Sequence, residues 1–193
     1  MKVQIVFAHP NPESFNAAVL DSFRQGLQEA GHQNDVMDLY ADKFDPVLTV
    51  ADFQDLAAGK AASDIAAYQQ KVADADALAF ICPVWWFGVP AILKGWVDRV
   101  LSHGFAFQFQ EDGTAKGLLK HKKALVIQTC GGSQEAYEQY GFKAAMQKCI
   151  DDGIVRFCGI ADVTHEFLYN VVGTTDEVRK GYLDRVRELG KSF

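Results

Sequence analysis

Several large classes of protein are excluded by features that this sequence lacks. It has no run of about 18 uncharged apolar residues, so no membrane span is expected. It carries a net charge of -6, and its densest basic cluster is only His121-Lys122-Lys123, so no nucleic-acid surface is expected. Its four cysteines form no CxxC pair, and no metal site is indicated. These thiols, Cys82, Cys130, Cys149 and Cys158, are predicted to be reduced, in a cytoplasmic protein.

The length and composition are those of an ordinary globular protein. The 193 residues suit a single domain over residues 1–193, large enough to bury a core without disulfides. Hydrophobic residues make up 49% of the chain and charged residues 23%, which excludes a disordered or collagen-like chain.

Short apolar runs alternate along the chain with longer amphipathic ones, which predicts an α/β protein. Strands are expected near residues 3–8, 35–40, 77–82, 124–129 and 161–167. Helices are expected near residues 14–30, 61–73, 90–101, 140–151 and 175–189, with an irregular stretch over 41–60. Near-continuous apolar strands are typical of a parallel sheet covered on both faces. Five of them favour a three-layer sandwich of flavodoxin-like order 2-1-3-4-5 over a six-stranded dinucleotide-binding fold.

In such a sheet, ligands bind at the carboxyl ends of the strands, in the crevice between strands 1 and 3. The loop after strand 1 is His9–Asn16, in which Ser14 is a good N-cap for the first helix. The free amides of that helix start would hold a phosphate. The loop contains neither GxxxxGK[ST] nor GxGxxG. A capped helix beside a surface histidine remains the alternative interpretation.

The loop after strand 3 carries three adjacent aromatic residues, Trp85, Trp86 and Phe87, between Pro83 and Gly88. They cannot all point inward, and exposed aromatic patches usually mark a ligand or partner surface. A planar isoalloxazine ring would stack there. The alternative is that they pack against the next helix or a second subunit.

The loop after strand 4 contains Gly131-Gly132, where the backbone can approach a ligand closely. It continues to Tyr140-Gly141-Phe142, which could overhang a bound ring. An ordinary glycine-rich turn is the alternative. Each loop by itself is only modest evidence for a binding site. The expected placement of all three loops on one edge of the sheet is stronger evidence.

The residues around these loops resemble those of the NAD(P)H:quinone oxidoreductases of the DT-diaphorase type, within the flavodoxin-like superfamily. The match includes the segment 83–100, PVWWFGVPAILKGWVDRV, and its most specific part runs from Trp86 to Trp96. It is supported by Asp38-Leu39-Tyr40, Gly104-Phe105-Ala106-Phe107 and Phe157-Cys158-Gly159, so that the similarity covers nearly the whole chain.

The resemblance implies a bound flavin, NAD(P)H as co-substrate, a quinone-like acceptor, and a homodimer with its active sites at the subunit interface. FAD is favoured over FMN, because the segment 88–96 resembles the FAD-binding branch most. The implied flavin ligands are His9, Ser14, Phe15 and Asn16 at the phosphate region, Pro83, Val84, Trp85, Trp86 and Phe87 along the isoalloxazine, and Thr129, Gly131 and Gly132 at its polar edge. The implied catalytic residues are Tyr137 and Lys143.

Lys143 is a departure from the family pattern, because well-studied members carry a histidine six residues after the active-site tyrosine. A lysine would neutralise a reduced, anionic flavin, but it cannot shuttle a proton near pH 7 unless its pKa is depressed. The sequence therefore leaves the proton donor open between Tyr137, Tyr140 and solvent.

The expected reaction is a two-electron, ping-pong transfer from NAD(P)H through the flavin to a quinone. Two other functions are compatible with the same scaffold. One is a regulatory subunit of a potassium-efflux antiporter, and the other is a flavodoxin-type electron carrier, which the His9-Pro10-Asn11-Pro12 loop disfavours.

Overall fold

A computed structural model describes residues 1–193 and contains two sheets. The strands are β1 (Lys2–Phe7), β2 (Gln33–Asp38), β3 (Ala77–Pro83), β4 (Phe107–Phe109), β5 (Ala115–Gly117), β6 (Ala124–Thr129) and β7 (Val163–Leu168). The main sheet is parallel, with the spatial order β2-β1-β3-β6-β7, and β4 and β5 form a separate antiparallel hairpin. Counting only the strands of the main sheet, the order is 2-1-3-4-5, so the predicted flavodoxin-like topology is confirmed.

The helices lie on both faces of the main sheet. They are α1 (Phe15–Glu29), α2 (Val50–Ala57), α3 (Ala66–Ala73), α4 (Ala91–Val100), α5 (Gln134–Gln139), α6 (Phe142–Gln147), a π-helix (Lys148–Arg156) and α7 (Asp176–Ser192). None of them combines the length and the apolar character that crossing a membrane requires.

The apolar strands explain the layered architecture. Every residue of β3 and β6 is buried, as their continuous apolar sequences predict. One core lies between the sheet and α3, α4 and the π-helix, and it includes Phe80 and Trp96. A second core lies between the sheet and α1 and α7, and it includes Phe23 and Ile81. The three-layer sandwich is therefore confirmed.

The irregular stretch predicted over residues 41–60 is wrong in part, because α2 occupies Val50–Ala57. A capping box starts this helix: the Thr49 hydroxyl accepts from the Asp52 amide, and the Asp52 carboxylate accepts from the Thr49 amide at 2.7 Å. The Thr-x-x-Asp spacing was the available signal. The next helix was predicted from residue 61 and begins only at Ala66.

The helix predicted over residues 140–151 is confirmed in part, because α6 begins at Phe142 and continues into the π-helix as far as Arg156, whereas α5 before it was not predicted. Gly141 adopts a left-handed backbone with φ of 72°, which separates α5 from α6. After α6 the chain continues as the π-helix. There the Phe157 amide donates to the Asp152 carbonyl, five residues earlier, at 3.1 Å. The β4–β5 hairpin was not predicted, because strands of three residues leave little hydrophobic pattern.

Candidate active site

The loops that follow β1, β3 and β6 meet at the carboxyl edge of the sheet. The Ala8 amide donates to the Ile81 carbonyl at 3.1 Å, and the Val84 amide donates to the Thr129 carbonyl at 2.8 Å. The Asn16 side-chain amide donates to the Thr129 hydroxyl at 2.8 Å, which ties the start of α1 to the third loop. The sequence-predicted loops are thus brought together.

The first loop ends in amide donors that have no partner in the chain. Ser14 caps α1, and its hydroxyl accepts from the Ala17 amide at 3.2 Å. The amides of Phe15 and Asn16 donate to no group of the chain. These amides stand at the positive end of a 15-residue helix, an arrangement that binds phosphate groups. The His9 ring lies beside this loop, 6.3 Å from the Trp85 ring.

The second loop is a strained aromatic turn, which we define as residues 85–88. Trp85 and Gly88 exchange two backbone hydrogen bonds of 3.1 Å, and Trp86 and Phe87 form the turn between them. Both turn residues have left-handed backbones, with φ of 51° and 56°. For residues other than glycine this costs about 1–2 kcal/mol each, and such strain concentrates at functional sites.

The strained turn presents both rings and amides. Trp86 is 98% exposed, Trp85 41% and Phe87 44%, which confirms that these aromatics do not all point inward. The amides of Trp86 and Phe87 donate to no group of the chain. A ligand lying beside the turn would therefore meet apolar ring surface and free donors together.

In the third loop, Gly131 faces open space and Gly132 faces the ring of Tyr137. A Cβ at Gly131 would meet nothing within 4 Å, whereas a Cβ at Gly132 would lie 3.0 Å from Cε2 of Tyr137. The Gly131 and Gly132 amides are also unpaired within the chain. Gly132 therefore allows the tyrosine to pack closely, and Gly131 leaves room for a ligand.

Tyr137 and Phe142 close one end of this region. The Phe87 ring stacks on Phe142 at 3.6 Å between centroids, and the Tyr137 ring lies 5.7 Å from Phe87. Burial raises the pKa of Tyr137 to about 12. The phenol therefore stays protonated at neutral pH and can donate a hydrogen bond.

Lys143 does not take part in this stack. Its amine donates to Glu138 at 3.2 Å, and it lines a cavity with Glu166, Tyr169 and Arg185. Its sequence neighbour Phe142 makes the contact with the aromatic turn. The sequence indicated only that the segment Tyr140-Gly141-Phe142 could overhang a bound ring. It did not predict the Phe142 stack, because the stack depends on the left-handed backbone at Gly141.

The residues present fit a flavin. The Asn16 side-chain oxygen is buried and has no donor in the chain, so it can accept from a ligand. Free amides from the three loops provide donors for a phosphate and for the polar edge of a ring, and the aromatic turn provides a flat apolar surface. No group of three or more metal-ligating side chains is present.

Comparisons with known proteins agree with this fold. Residues 1–190 match the family model described as flavodoxin-like fold. The solved structure of an NAD(P)H:quinone oxidoreductase from Methanothermobacter marburgensis is 35% identical, with a TM-score of 0.91 over 100% of this chain and 96% of that one.

Two curated relatives are similarly close. An uncharacterized NAD(P)H oxidoreductase of Haemophilus influenzae is 36% identical over 181 residues, covering 93% of this chain and 89% of the relative. NAD(P)H dehydrogenase [quinone] 1 of Cavia porcellus is 36% identical over 195 residues, covering 91% of this chain and 70% of the relative.

The fold and the match over nearly its full length define this chain as a flavodoxin-like protein. Within that class, it belongs to the family of the NAD(P)H:quinone oxidoreductases.

Proposed function

We propose that this protein is a flavin-dependent NAD(P)H dehydrogenase (quinone). The observation that carries the proposal is the convergence of three structures at one edge of the sheet: the free amides of α1, the strained aromatic turn, and the open space at Gly131. Binding sites of doubly wound folds lie at this edge.

The residues named from the sequence would each contact a different part of the flavin. His9, Ser14, Phe15 and Asn16 would hold the phosphate region, and Pro83, Val84, Trp85, Trp86 and Phe87 would flank the ring. Thr129, Gly131 and Gly132 would meet its polar edge. We favour FAD over FMN, because the segment Gly88–Trp96 resembles the FAD-binding branch.

Once bound, the flavin supplies hydride transfer from NAD(P)H and two-electron reduction of a quinone. The exposed faces of Trp85 and Trp86 would flank the flavin ring, over which nicotinamide and quinone would lie in turn. The Phe87–Phe142 stack would border one end of this ring site. The Tyr137 phenol would donate a hydrogen bond to the acceptor oxygen as charge develops on it.

We further propose a homodimer that completes the site. An apolar groove of about 330 Å³ runs between α2, α4 and the π-helix, and large apolar side chains around it are exposed. Phe53 is 58%, Phe109 60% and Phe157 39% exposed. Such a contiguous patch is typical of an interaction surface. Sedimentation of wild type and of the Phe157→Lys variant would test this, with the variant expected to be monomeric.

We place the protein in the cytoplasm. Its four cysteines are unpaired, and three of them are buried among apolar side chains. Free thiols persist where the redox environment is reducing. Fractionation of the cells that make the protein would test this.

A spectrum and a titration test the function directly. The purified protein is expected to be yellow, and addition of NADH or NADPH under anaerobic conditions should bleach it. With menadione as acceptor, double-reciprocal plots should be parallel, as ping-pong kinetics require. A protein that stays colourless after soaking in FAD and in FMN would end the proposal.

A matched pair of glycine variants tests the site. Gly131→Val would fill the open space beside the third loop, so flavin should bind at least about tenfold more weakly, a loss of about 1.4 kcal/mol. Gly181→Ala, on the solvent side of α7, should leave flavin affinity unchanged. Equal affinity in both variants would contradict the assigned position of the ring.

A further inference from the structure

Asn11, in the loop that follows β1, has a proline on each side of it. A residue that precedes a proline is held in an extended conformation, so the backbone of Asn11 is restricted. Three of its polar groups are used within the loop. Its amide donates to Nδ1 of His9 at 3.1 Å, its carbonyl accepts from the Ser14 amide at 3.2 Å, and its side-chain oxygen accepts from the Glu13 amide at 2.9 Å. Asn11 therefore connects the histidine to the N-cap of α1.

The contact with Asn11 decides which nitrogen of the neutral His9 ring carries the proton. Nδ1 lies 3.1 Å from the Asn11 amide nitrogen and 3.1 Å from the Asn11 carbonyl oxygen. The amide donates to no other group of the chain, whereas the carbonyl already accepts from Ser14. A proton on Nδ1 would set two N–H groups against each other and leave the amide without an acceptor. In the neutral ring the proton therefore lies on Nε2.

Protonation of the His9 ring leaves Nε2 a donor. In the imidazolium form both ring nitrogens donate, and Nδ1–H then has the Asn11 carbonyl oxygen as its acceptor at 3.1 Å. The neutral ring accepts from the backbone amide, and the charged ring donates to the backbone carbonyl of the same residue. Nε2 carries a proton in both forms, and it makes no hydrogen bond within the chain, because His9 is bonded through Nδ1 alone.

The His9 ring and the free amides of α1 are joined through one oxygen atom. Nδ1 of His9 and the Ser14 amide nitrogen both lie within 3.2 Å of the Asn11 carbonyl oxygen. The next two amides along the helix have no partner and stand at its positive end. Asn16, which is 4% exposed, adds a side-chain oxygen without a partner. This loop therefore offers donors for a phosphate and an acceptor for a hydroxyl of the ribityl chain that carries the phosphate.

We propose that Asn11 is a positioning residue, which holds His9 as an Nε2 donor to the flavin phosphate in both protonation states of the ring. This inference rests on the proposed function, because it concerns how the same site holds its cofactor. A hydrogen bond from Nε2–H to a charged phosphate oxygen is of the strong, charge-assisted kind. A ring with its proton on Nδ1 would instead turn a lone pair toward the phosphate. The tautomer that Asn11 selects thus decides whether His9 attracts the phosphate.

Nitrogen NMR of the flavin-free protein reads the tautomer without any turnover. The neutral His9 ring should carry its proton on Nε2, with Nδ1 unprotonated. Asn11→Pro removes the amide and keeps the carbonyl, so Nδ1–H should become the favoured form. The loop should accept this proline, because residue 11 is not left-handed and already precedes a proline. Asn11→Ala is the matched control: it keeps the amide, loses only the side-chain bond to Glu13, and should leave the proton on Nε2.

Two substitutions of His9 separate its ring nitrogens. The side-chain amide of glutamine reaches the position of Nε2, whereas that of asparagine reaches only the position of Nδ1. His9→Gln should therefore retain most of the affinity for FAD and FMN, and His9→Asn should lose about tenfold. Asn11→Pro should lose about threefold, because the phosphate must restore the other tautomer. Quenching of flavin fluorescence measures these affinities. Riboflavin has no phosphate, and its affinity should not differ between the variants.

The outcomes distinguish this inference from the proposed function. If the wild type takes up neither FAD nor FMN, the proposed function fails and the role of His9 toward the phosphate fails with it. If flavin binds and NADH or NADPH bleaches it, but the neutral His9 ring carries its proton on Nδ1, the inference alone is wrong. It is also wrong if His9→Gln binds FAD and FMN as weakly as His9→Asn, or if riboflavin affinity falls as much as theirs, since His9 would then act by packing.

Discussion

The two faces of the sheet are covered in different ways. On one face, α1 and α7 are regular helices of 15 and 17 residues that touch backbone to backbone. A Cβ at Gly26 would lie 2.1 Å from the Arg187 carbonyl oxygen, and one at Gly190 would lie 2.5 Å from the Phe23 carbonyl oxygen. Small residues at the crossing therefore let the two helices approach closely.

The opposite face is assembled from short helices and fixed by a buried ion network. Arg99 on α4 donates to Asp52 of α2 at 2.8 Å, to Asp64 at 2.7 Å and to the Asp45 carbonyl at 2.9 Å. The side chains of Arg99 and Asp52 are each 7% exposed. The left-handed break at Gly141 and the π-helix belong to this face as well.

The comparison shows how the site is supported. Two long helices make a regular wall, of which only the first turn of α1 belongs to the candidate site. The other wall consists of segments too short to be stable by themselves, so a polar anchor and tertiary packing must fix them. This irregular wall supplies Tyr137 and Phe142, which hold the strained aromatic turn.

The largest expected effect comes from breaking the ion network. Arg99→Ala leaves the buried Asp52 carboxylate without its partner, which should lower the free energy of unfolding by about 3–5 kcal/mol. Lys94→Ala is the control on the same helix, because the Lys94–Asp98 pair is exposed and should contribute less than about 0.5 kcal/mol. Urea unfolding measures both. A loss below about 1 kcal/mol for Arg99→Ala would mean that the network does not anchor α2.

The helix crossing should respond less strongly. Gly26→Ala forces a methyl group against the α7 backbone and should cost about 1–3 kcal/mol, after the gain in helix propensity. Gly181→Ala, in α7 where a Cβ meets nothing within 4 Å, should instead stabilise by about 0.5–1 kcal/mol. Opposite signs in urea unfolding would confirm that the glycine at the crossing is a packing requirement, and two stabilising changes would refute it.

The sequence predicted the regular parts of this molecule well. The apolar runs at 77–82 and 124–129 became the fully buried β3 and β6, and the Ser14 cap set the start of α1. Helix α2 was missed although the Thr49-x-x-Asp52 capping box was a local signal for its start. What fixes the helix on the sheet is Arg99, 47 positions away from Asp52 along the chain. Long-range contacts of this kind leave no local pattern.

The candidate site, like the fold, could be predicted from the sequence only in part. The three loops and their glycines could be recognised from residue type alone. The left-handed backbones at Trp86 and Phe87 could not, because aromatic residues disfavour that conformation and only the surrounding contacts hold it. The Phe142 stack likewise depends on the left-handed turn at Gly141, a residue that the sequence placed in the first turn of a predicted helix.

The smallest expected effect is the pH dependence of stability that two buried carboxyls produce. One is Asp52, on the α4 face of the sheet, and the other is Glu166, on the α7 face. Burial raises the pKa of Asp52, but hydrogen bonds from Thr49 and Arg99 outweigh it, so its pKa is lowered overall. The pKa of Glu166 is raised, because burial outweighs Arg185. Asp52 thus contributes stability that is present above its unfolded pKa and lost as pH falls through the lower folded value. Glu166 contributes stability that is full below its unfolded pKa and lost as pH rises through the higher folded value.

The two carboxyls should therefore give opposite pH slopes. Relative to wild type, Asp52→Asn should be most destabilising near neutral pH and less so toward pH 3. Glu166→Gln should be most costly at acid pH and should approach wild type, or exceed it, as pH rises above the unfolded pKa of Glu166. Urea unfolding of the three proteins between pH 3 and pH 7 measures both slopes on one scale. Parallel slopes for the two variants would mean that Arg185 lowers the pKa of Glu166 as Arg99 lowers that of Asp52, and burial would then not be the dominant influence on Glu166.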